Sequence, residues 1–316
     1  MKAGAGLPVY APSPVAVDIG KYSIAFQKPL EMDEERIQDV IRRFAWTARK
    51  SQELGFGGVE IHAAHGYLVS SFLSPLSNRR TDRWGGSREN RARLLFEVVR
   101  VVRSSTSPKF GVAVKINSSD FQRDGFDAED LAWTVREINS MDVNLLELSG
   151  GNVESPVMRG AAQPHIPGKK AGTIAREVYF AEAARDLEKI ATMPLLTTGG
   201  ITSLKTATSV VESSDRALVG VGTALGLVPD LVNRWARGED SKPTLASPWW
   251  LPGPLVFAAS TASVEWNLHR IGDGKSTWWG VWPTYALNLQ VLGESRQMRE
   301  YRKWISRLGG TSKKHE

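Results

Sequence analysis

Two kinds of apolar pattern alternate along this chain from Glu34 onward. Ile37, Val40, Ile41, Phe44, Ala45 and Ala48 recur at three- and four-residue spacing behind Asp33, which predicts a capped helix ending near Leu54-Gly55. Gly58 to Ala63 is a short run that predicts a strand, and Phe72 to Gly86 reads as a long polar loop. A second helix is predicted from about Arg88 to Arg103, with Leu94, Leu95, Val98, Val99 and Val102 on one side. The alternation then continues with a strand at Phe110 to Asn117 and a helix from Asp127, where Asp130 three residues on is close to a capping box. A strand at Val143 to Ser149 leads into a long loop from Gly150 to about Lys170, then a helix through Phe180, Ala183, Ala184, Leu187 and Ile190. Pro194 to Thr198 is a strand, Leu204 to Val211 a short helix, and Arg216 to Val221 a last strand. Residues 1–32, with Pro8, Pro12, Pro14 and Pro29, predict loop with at most a short hairpin.

The strands are mostly continuous apolar runs, as expected where helices cover both faces, and strict alternation of strand and helix predicts a parallel sheet. Glycines choose between an open and a closed sheet. Gly199-Gly200 and Gly222 follow the last two strands, whereas an open dinucleotide fold places its glycine fingerprint after the first. Phosphate binding after the last two strands is the habit of the (β/α)8 TIM barrel, so the fold class expected is α/β, a barrel of which about five C-terminal βα units are present. The expected divisions are an irregular N-terminal loop over 1–32, a partial barrel domain over 33–240, and a Trp-rich C-terminal helix with a basic tail over 241–316.

Composition narrows the function. Of 316 residues, 41% are hydrophobic and 23% charged, a globular mixture with room for a sizeable core. No apolar run is long enough to span a membrane, and the N-terminus lacks a signal-peptide core, so a cytoplasmic protein is expected. The absence of cysteine excludes disulfides, thiolate metal sites and cysteine nucleophiles. The net charge of +6 suggests nucleic acid until it is located: the last 21 residues hold seven Lys or Arg against two Glu, so five of the six charges sit in the tail. Without a recognition motif, a basic terminal helix is a solvated face, and no nucleic-acid partner is expected.

The chemistry lies where the first convincing strand ends. Val59-Glu60-Ile61-His62-Ala63-Ala64-His65-Gly66-Tyr67-Leu68 delivers two histidines and a tyrosine to one rim, the C-terminal end where barrel active sites sit. His-x-x-His can also serve as structural hydrogen bonders or metal ligands, but no Asp/Glu spacing completes a zinc site, and no metal is expected. This stretch, with Phe72-Leu73-Ser74-Pro75-Leu76-Ser77-Asn78-Arg79-Arg80-Thr81-Asp82-Arg83-Trp84-Gly85-Gly86, resembles the signature of the Old Yellow Enzyme family of FMN-dependent ene-reductases, especially its fungal NADH:flavin oxidoreductase members. The resemblance extends through Lys115-Ile116-Asn117, Leu148-Ser149-Gly150-Gly151, Thr198-Gly199-Gly200-Ile201 and Val219-Gly220-Val221-Gly222-Thr223, covering roughly residues 10 to 240.

The resemblance implies roles. His62 and His65 would hydrogen-bond the carbonyl oxygen of an α,β-unsaturated substrate, where fixed donors stabilise the negative charge that hydride addition creates. Tyr67 matches the tyrosine that protonates the α-carbon; a phenol with a pKa of about 10 keeps its proton at neutral pH. Lys115 would sit beside the pyrimidine end of FMN, where many members carry arginine, and Gly199, Gly200, Gly222 and Thr223 would form the two turns that cradle the phosphate. Thr223 also stands where many members have arginine, so it can bond a phosphate without neutralising it. NADH or NADPH would supply the hydride, and a small enone of secondary metabolism would receive it.

The family's first three strands have no counterpart in this sequence; a sheet lacking them has two raw edges, which a second copy of the chain or its C-terminal region could cover. That region holds seven of the eleven tryptophans, including Trp249, Trp250, Trp278, Trp279 and Trp282. It reads either as a final barrel helix from about Val256 to Ile271 with a tail packed outside, or as indoles that cover bare surface or form a partner surface. Two alternatives to the ene-reductase stand beside it: a flavin-free isomerase or other acid-base enzyme using the same three residues, and a non-catalytic remnant of the family.

Overall fold

The computed structural model describes residues 8–152, 154–155 and 183–312, except 242, 244, 246, 247, 249 and 252. They divide into two compact units, one formed by Val9–Ser23 with Lys28–Val221 and the other built mainly from Gly222 onward.

The first unit begins with β1 (Tyr10–Ala11) and β2 (Leu30–Glu31). They pair in parallel, Tyr10 with Leu30 and Ala11 with Glu31, so the hairpin allowed by the sequence is not formed. A parallel pair cannot be closed by a tight turn. Helix α1 (Glu34–Glu53) follows, its first turn capped by the Asp33 carboxylate accepting from the Arg36 N–H, and it buries Ile37, Ile41 and Ala48. Five strands make the main sheet: β3 (Gly58–Ala63), β4 (Gly111–Asn117), β5 (Leu145–Ser149), β6 (Leu195–Thr198) and β7 (Ala217–Gly220). All neighbours are parallel and lie in chain order. Between them run α2 (Leu68–Leu73), α3 (Arg88–Ser104), α4 (Ala128–Ile138) and α5 (Leu204–Val211). Residues 183–188 are also helical; the start of that helix at Phe180, and most of the loop expected between Gly150 and Lys170, lie outside the described residues.

Two local expectations need correction. Part of the stretch taken as polar loop is helical, because α2 buries Val69, Phe72 and Leu73. Six residues are too few for a helical period to show in sequence. The rest of the loop is tied down by Asn78, whose Nδ2 donates to the carbonyls of Phe72 and Trp84 at 2.7 Å each. At α4, Asp127 caps the backbone N–H groups of Glu129 and Asp130. The Asp130 carboxylate turns away from that cap and binds Arg88 Nε at 2.5 Å and Arg91 Nη2 at 3.1 Å.

The strands carry a period of two inside their apolar runs. One face holds Ile61, Ala63, Val112, Val114, Ile116, Leu146, Leu148 and Leu195, all buried in a single core with α1, α3 and α4. The other face holds Glu60, His62, Lys115, Asn117, Glu147, Ser149 and Thr198. This second face positions the site.

In the other unit, α6 (Thr223–Leu227) and α7 (Leu231–Ala236) precede two long helices, α8 (Gly253–Gly272) and α9 (Pro283–Ser312). Helix α8 runs slightly beyond both predicted ends. Ala262, Val281 and Ala286 form a small core between the long helices, with Trp266 and Leu287 against it. The Leu227 carbonyl accepts from Thr277 Oγ1 at 2.6 Å and Trp279 Nε1 at 2.9 Å, which joins the short helix to the loop between the long ones. Trp278, Trp282 and Trp304 remain more than half exposed. Trp249 lies outside the described residues. No helix among the described residues is long and apolar enough to cross a membrane.

Candidate active site

Strand β3 ends at Ala63, and the next four residues leave the sheet by a bend that sequence alone does not announce. His65 takes a left-handed backbone with φ of 63°, and Gly66 follows with φ of 73°. A histidine in that region is strained and needs outside support. It has it: the His65 N–H donates to Asn117 Oδ1 at 3.0 Å, and the Gly66 N–H donates to Ser70 Oγ at 3.2 Å. Asn117, at the end of the adjacent strand, is held in turn by its Nδ2 donating to Asp120 Oδ1 and to the Gly151 carbonyl, both at 3.1 Å. Burial pushes the Asp120 carboxyl up, opposed by its hydrogen bonds with Ser74, the Phe126 N–H and Asn117. The chain then enters α2 with Tyr67 at the N-cap position, which leaves its side chain on the rim and about half exposed.

The bend gathers the three rings. His62 and His65 lie 5.1 Å apart between centroids at 87°, His62 and Tyr67 5.0 Å apart at 71°, and His65 and Tyr67 6.5 Å apart at 65°. All three contacts are edge-to-face. His62 Nδ1 accepts from the Ala64 N–H at 3.2 Å, so a neutral ring carries its proton on Nε2. Burial first, then the Lys115 charge, hold the His62 imidazole below its ordinary range, with Glu147 pulling the other way. His65 Nε2 meets Ser149 Oγ at 2.6 Å.

Beside the rings lies a charged row. His62 is the register partner of Lys115, and Lys115 of Glu147. Lys115 Nζ donates to Glu147 Oε1 at 2.6 Å, and Thr198 Oγ1 donates to the same oxygen at 2.7 Å. Burial works to raise the Glu147 carboxyl, but the hydrogen bonds from Lys115 and Thr198 and the Lys115 charge outweigh it and hold it below its usual range. Thr198 has room to do this because its partner on β7 is Gly220, where any Cβ would overlap the threonine side chain.

The structure thus brings His62, His65, Tyr67 and Lys115 to one end of one sheet. Gly199 and Gly200 leave the same end of β6 with φ of 111° and 75°, a turn that glycine makes without strain. Gly222 and Thr223 open the other unit, Gly222 as the residue before α6 and Thr223 as its first residue. Sequence reasoning passed over Glu60, Asn117, Asp120, Glu147, Ser149 and Thr198 as site residues. The available signal was their spacing: Lys115 with Asn117, and Glu147 with Ser149, are polar residues at i and i+2 inside strands whose alternate positions are apolar.

A parallel sheet with this rim of histidine, tyrosine and lysine defines a class. Residues 7–241 match the NADH:flavin oxidoreductase / NADH oxidase family, and the chain belongs to it, as the resemblance implied. Among similar proteins is the NADH-dependent flavin oxidoreductase iliE of Hypocrea jecorina (strain QM6a), 37% identical over 233 residues, covering 72% of this chain and 57% of that protein. The corresponding protein of Neonectria sp. (strain DH2) is 32% identical over 271 residues, covering 83% of this chain and 35% of its own length. The chain therefore spans between about a third and just over half of these relatives. A solved 2-naphthoyl-CoA reductase shares 25% identity with a TM-score of 0.63 over 73% of this chain and 33% of that one. The old yellow enzyme homologue of Zymomonas mobilis has the same fold, with a TM-score of 0.59 at 22% identity over 76% of this chain and 64% of that one.

Proposed function

We propose that this chain carries the substrate side and part of the flavin site of an FMN-dependent oxidoreductase, which passes hydride from NADH or NADPH to the activated C=C bond of a small α,β-unsaturated carbonyl compound. The five parallel strands in chain order then form the C-terminal five-eighths of a (β/α)8 barrel; the likeness in fold to complete members supports this. One observation carries the functional reading: Lys115, distant in sequence, meets His62 and Tyr67 of the rim motif at the C-terminal end of adjacent parallel strands.

The donor set fits a flavin. Lys115 supplies a cation on the polar face for the pyrimidine end, and the paired glycines after β6 leave backbone N–H groups unshielded by side chains for a phosphate. When bound, the flavin supplies the hydride. The chain's own residues manage charge and protons. His62 donates from Nε2 to the substrate carbonyl oxygen and stays neutral while doing so, because burial and Lys115 disfavour the imidazolium. His65 offers its Nε2 in competition with Ser149, so a bound carbonyl oxygen would displace or share that hydrogen bond. Tyr67 gives its phenolic proton to the α-carbon from the open side of the rim.

The test is the visible spectrum of the purified chain, alone and after incubation with FMN, followed by anaerobic addition of NADH or NADPH and then of a simple cyclic enone. Bound flavin that bleaches with nicotinamide and recovers colour with the enone is the expected result. A chain that takes up no FMN overturns the reading, and turnover of an enone by colourless protein would favour flavin-free acid-base chemistry at the same three residues.

A further inference from the structure

The polar face of the sheet holds a carboxyl group, that of Glu60, which the roles above do not use. Glu60 stands two residues before His62 on β3, and its register partner on β4 is Ala113. Neighbouring strands are about 4.8 Å apart. A methyl group at Ala113 leaves the space above β4 open, so the Glu60 side chain reaches across that strand and hydrogen-bonds the Glu147 carboxylate on β5. Two carboxylates can share a hydrogen bond only if one keeps a proton. Glu147 is the partner already committed to ionisation, because Lys115 and Thr198 both donate to its Oε1.

We propose that Glu60 is a positioning residue that sets the charge of the Lys115 row: protonated, it shares its hydrogen with Glu147 and leaves one carboxylate against one ammonium, and ionised, it gives the row an extra negative charge. The consequence for ligand binding rests on the flavin reading. An anionic ligand beside Lys115 is then held less tightly at higher pH, when the row carries its additional charge.

The surroundings support an unusual carboxyl here. Glu60 is exposed as a residue, yet desolvation of its carboxyl end, the Glu147 charge and their shared hydrogen bond push it up to about 7, with Lys115 pulling it down. The charged and titratable groups that face it are His62 on its own strand, Lys115 on β4 and Glu147 on β5. His62 is held below its ordinary value of 6.5, so its own titration falls at lower pH.

Infrared difference spectra of the ligand-free chain across pH 5 to 9, on wild type, Glu60→Gln and Glu147→Gln, test the shared proton without any flavin. The expected wild-type spectrum has a protonated-carboxyl band that persists at neutral pH and is lost at higher pH; Glu60→Gln, which keeps a neutral donor to Glu147, lacks it. A wild-type spectrum without that band at neutral pH overturns the proposal. FMN affinity, read by flavin fluorescence over the same pH range, tests the consequence. Wild type is expected to weaken several-fold more than Glu60→Gln as pH rises through 7, since titration of the FMN phosphate is common to both. Parallel profiles overturn the positioning role. Failure of both proteins to bind FMN at any pH, with the carboxyl band present, removes the flavin reading while supporting the shared proton.

Discussion

The donor role proposed for His62 depends on one backbone contact. With Nδ1 occupied by the Ala64 N–H, the neutral ring has no choice of tautomer, and burial with the nearby Lys115 charge keeps it neutral. Nitrogen-detected NMR of the imidazoles at pH 7 is expected to show His62 as the Nε2–H tautomer, titrating at lower pH than a free histidine. An Nδ1–H tautomer, or an imidazolium at that pH, would reverse its assigned part. Tyr67, the proposed proton donor, stands in the opposite condition, on the rim and half exposed. Tyr67→Phe removes only the oxygen, so in stopped-flow experiments the oxidative half-reaction with an enone is expected to slow about 100-fold or more while flavin reduction is unchanged. Equal slowing of both half-reactions would sink the proton-donor role.

At the scale of elements, the question is what keeps a short strand, a strained bend and a long loop in register. Part of the answer is ionic. The Asp130 carboxylate, at the start of α4, is almost fully buried between Arg88 and Arg91 on α3. Arg91 also donates from Nε to the Leu73 carbonyl at 2.9 Å and from Nη1 to the Gly86 carbonyl at 2.8 Å, so the same guanidinium fixes both ends of the loop after α2. Removing the carboxylate leaves the mostly buried Arg91 without its counter-charge, while Arg88, about a third exposed, keeps Glu129 at 3.8 Å. Asp130→Ala is expected to cost about 3 kcal/mol in urea unfolding, the low end of the range for breaking a buried pair, because solvent already screens Arg88. A loss under 1 kcal/mol would mean that water reaches the arginines and that the pair contributes little. The bend itself depends on a different element: Asn117 lies on β4, and its side chain, not β3, supports the left-handed His65.

For the whole molecule, the open sheet matters most. Its order leaves β3 and β7 at the two edges, with no further strand beside either among the described residues. Unpaired edges of this kind recruit other strands. Sedimentation velocity of the chain from about 1 to about 100 µM, the range where exposed edges drive association, is expected to show concentration-dependent self-association. A monomer throughout would mean that the edges are already covered.

The sequence was informative wherever a pattern was long or local. The helical periods of α1 and α3, the apolar runs of β3 to β6, the alternation that requires a parallel sheet, and the family membership all lie in stretches whose signals are contiguous in the chain. The rim motif from His62 to Tyr67 was legible for the same reason. The short helix α2 and the parallel pairing of β1 with β2 were not, since neither is long enough to carry a period. Tertiary structure alone decided which polar residues meet: Asn117 under His65, Ser149 on its ring, and Glu60 reaching Glu147 over Ala113. Those contacts depend on register between strands separated by tens of residues, which backbone hydrogen bonds and the buried apolar face fix together, and which no local pattern encodes.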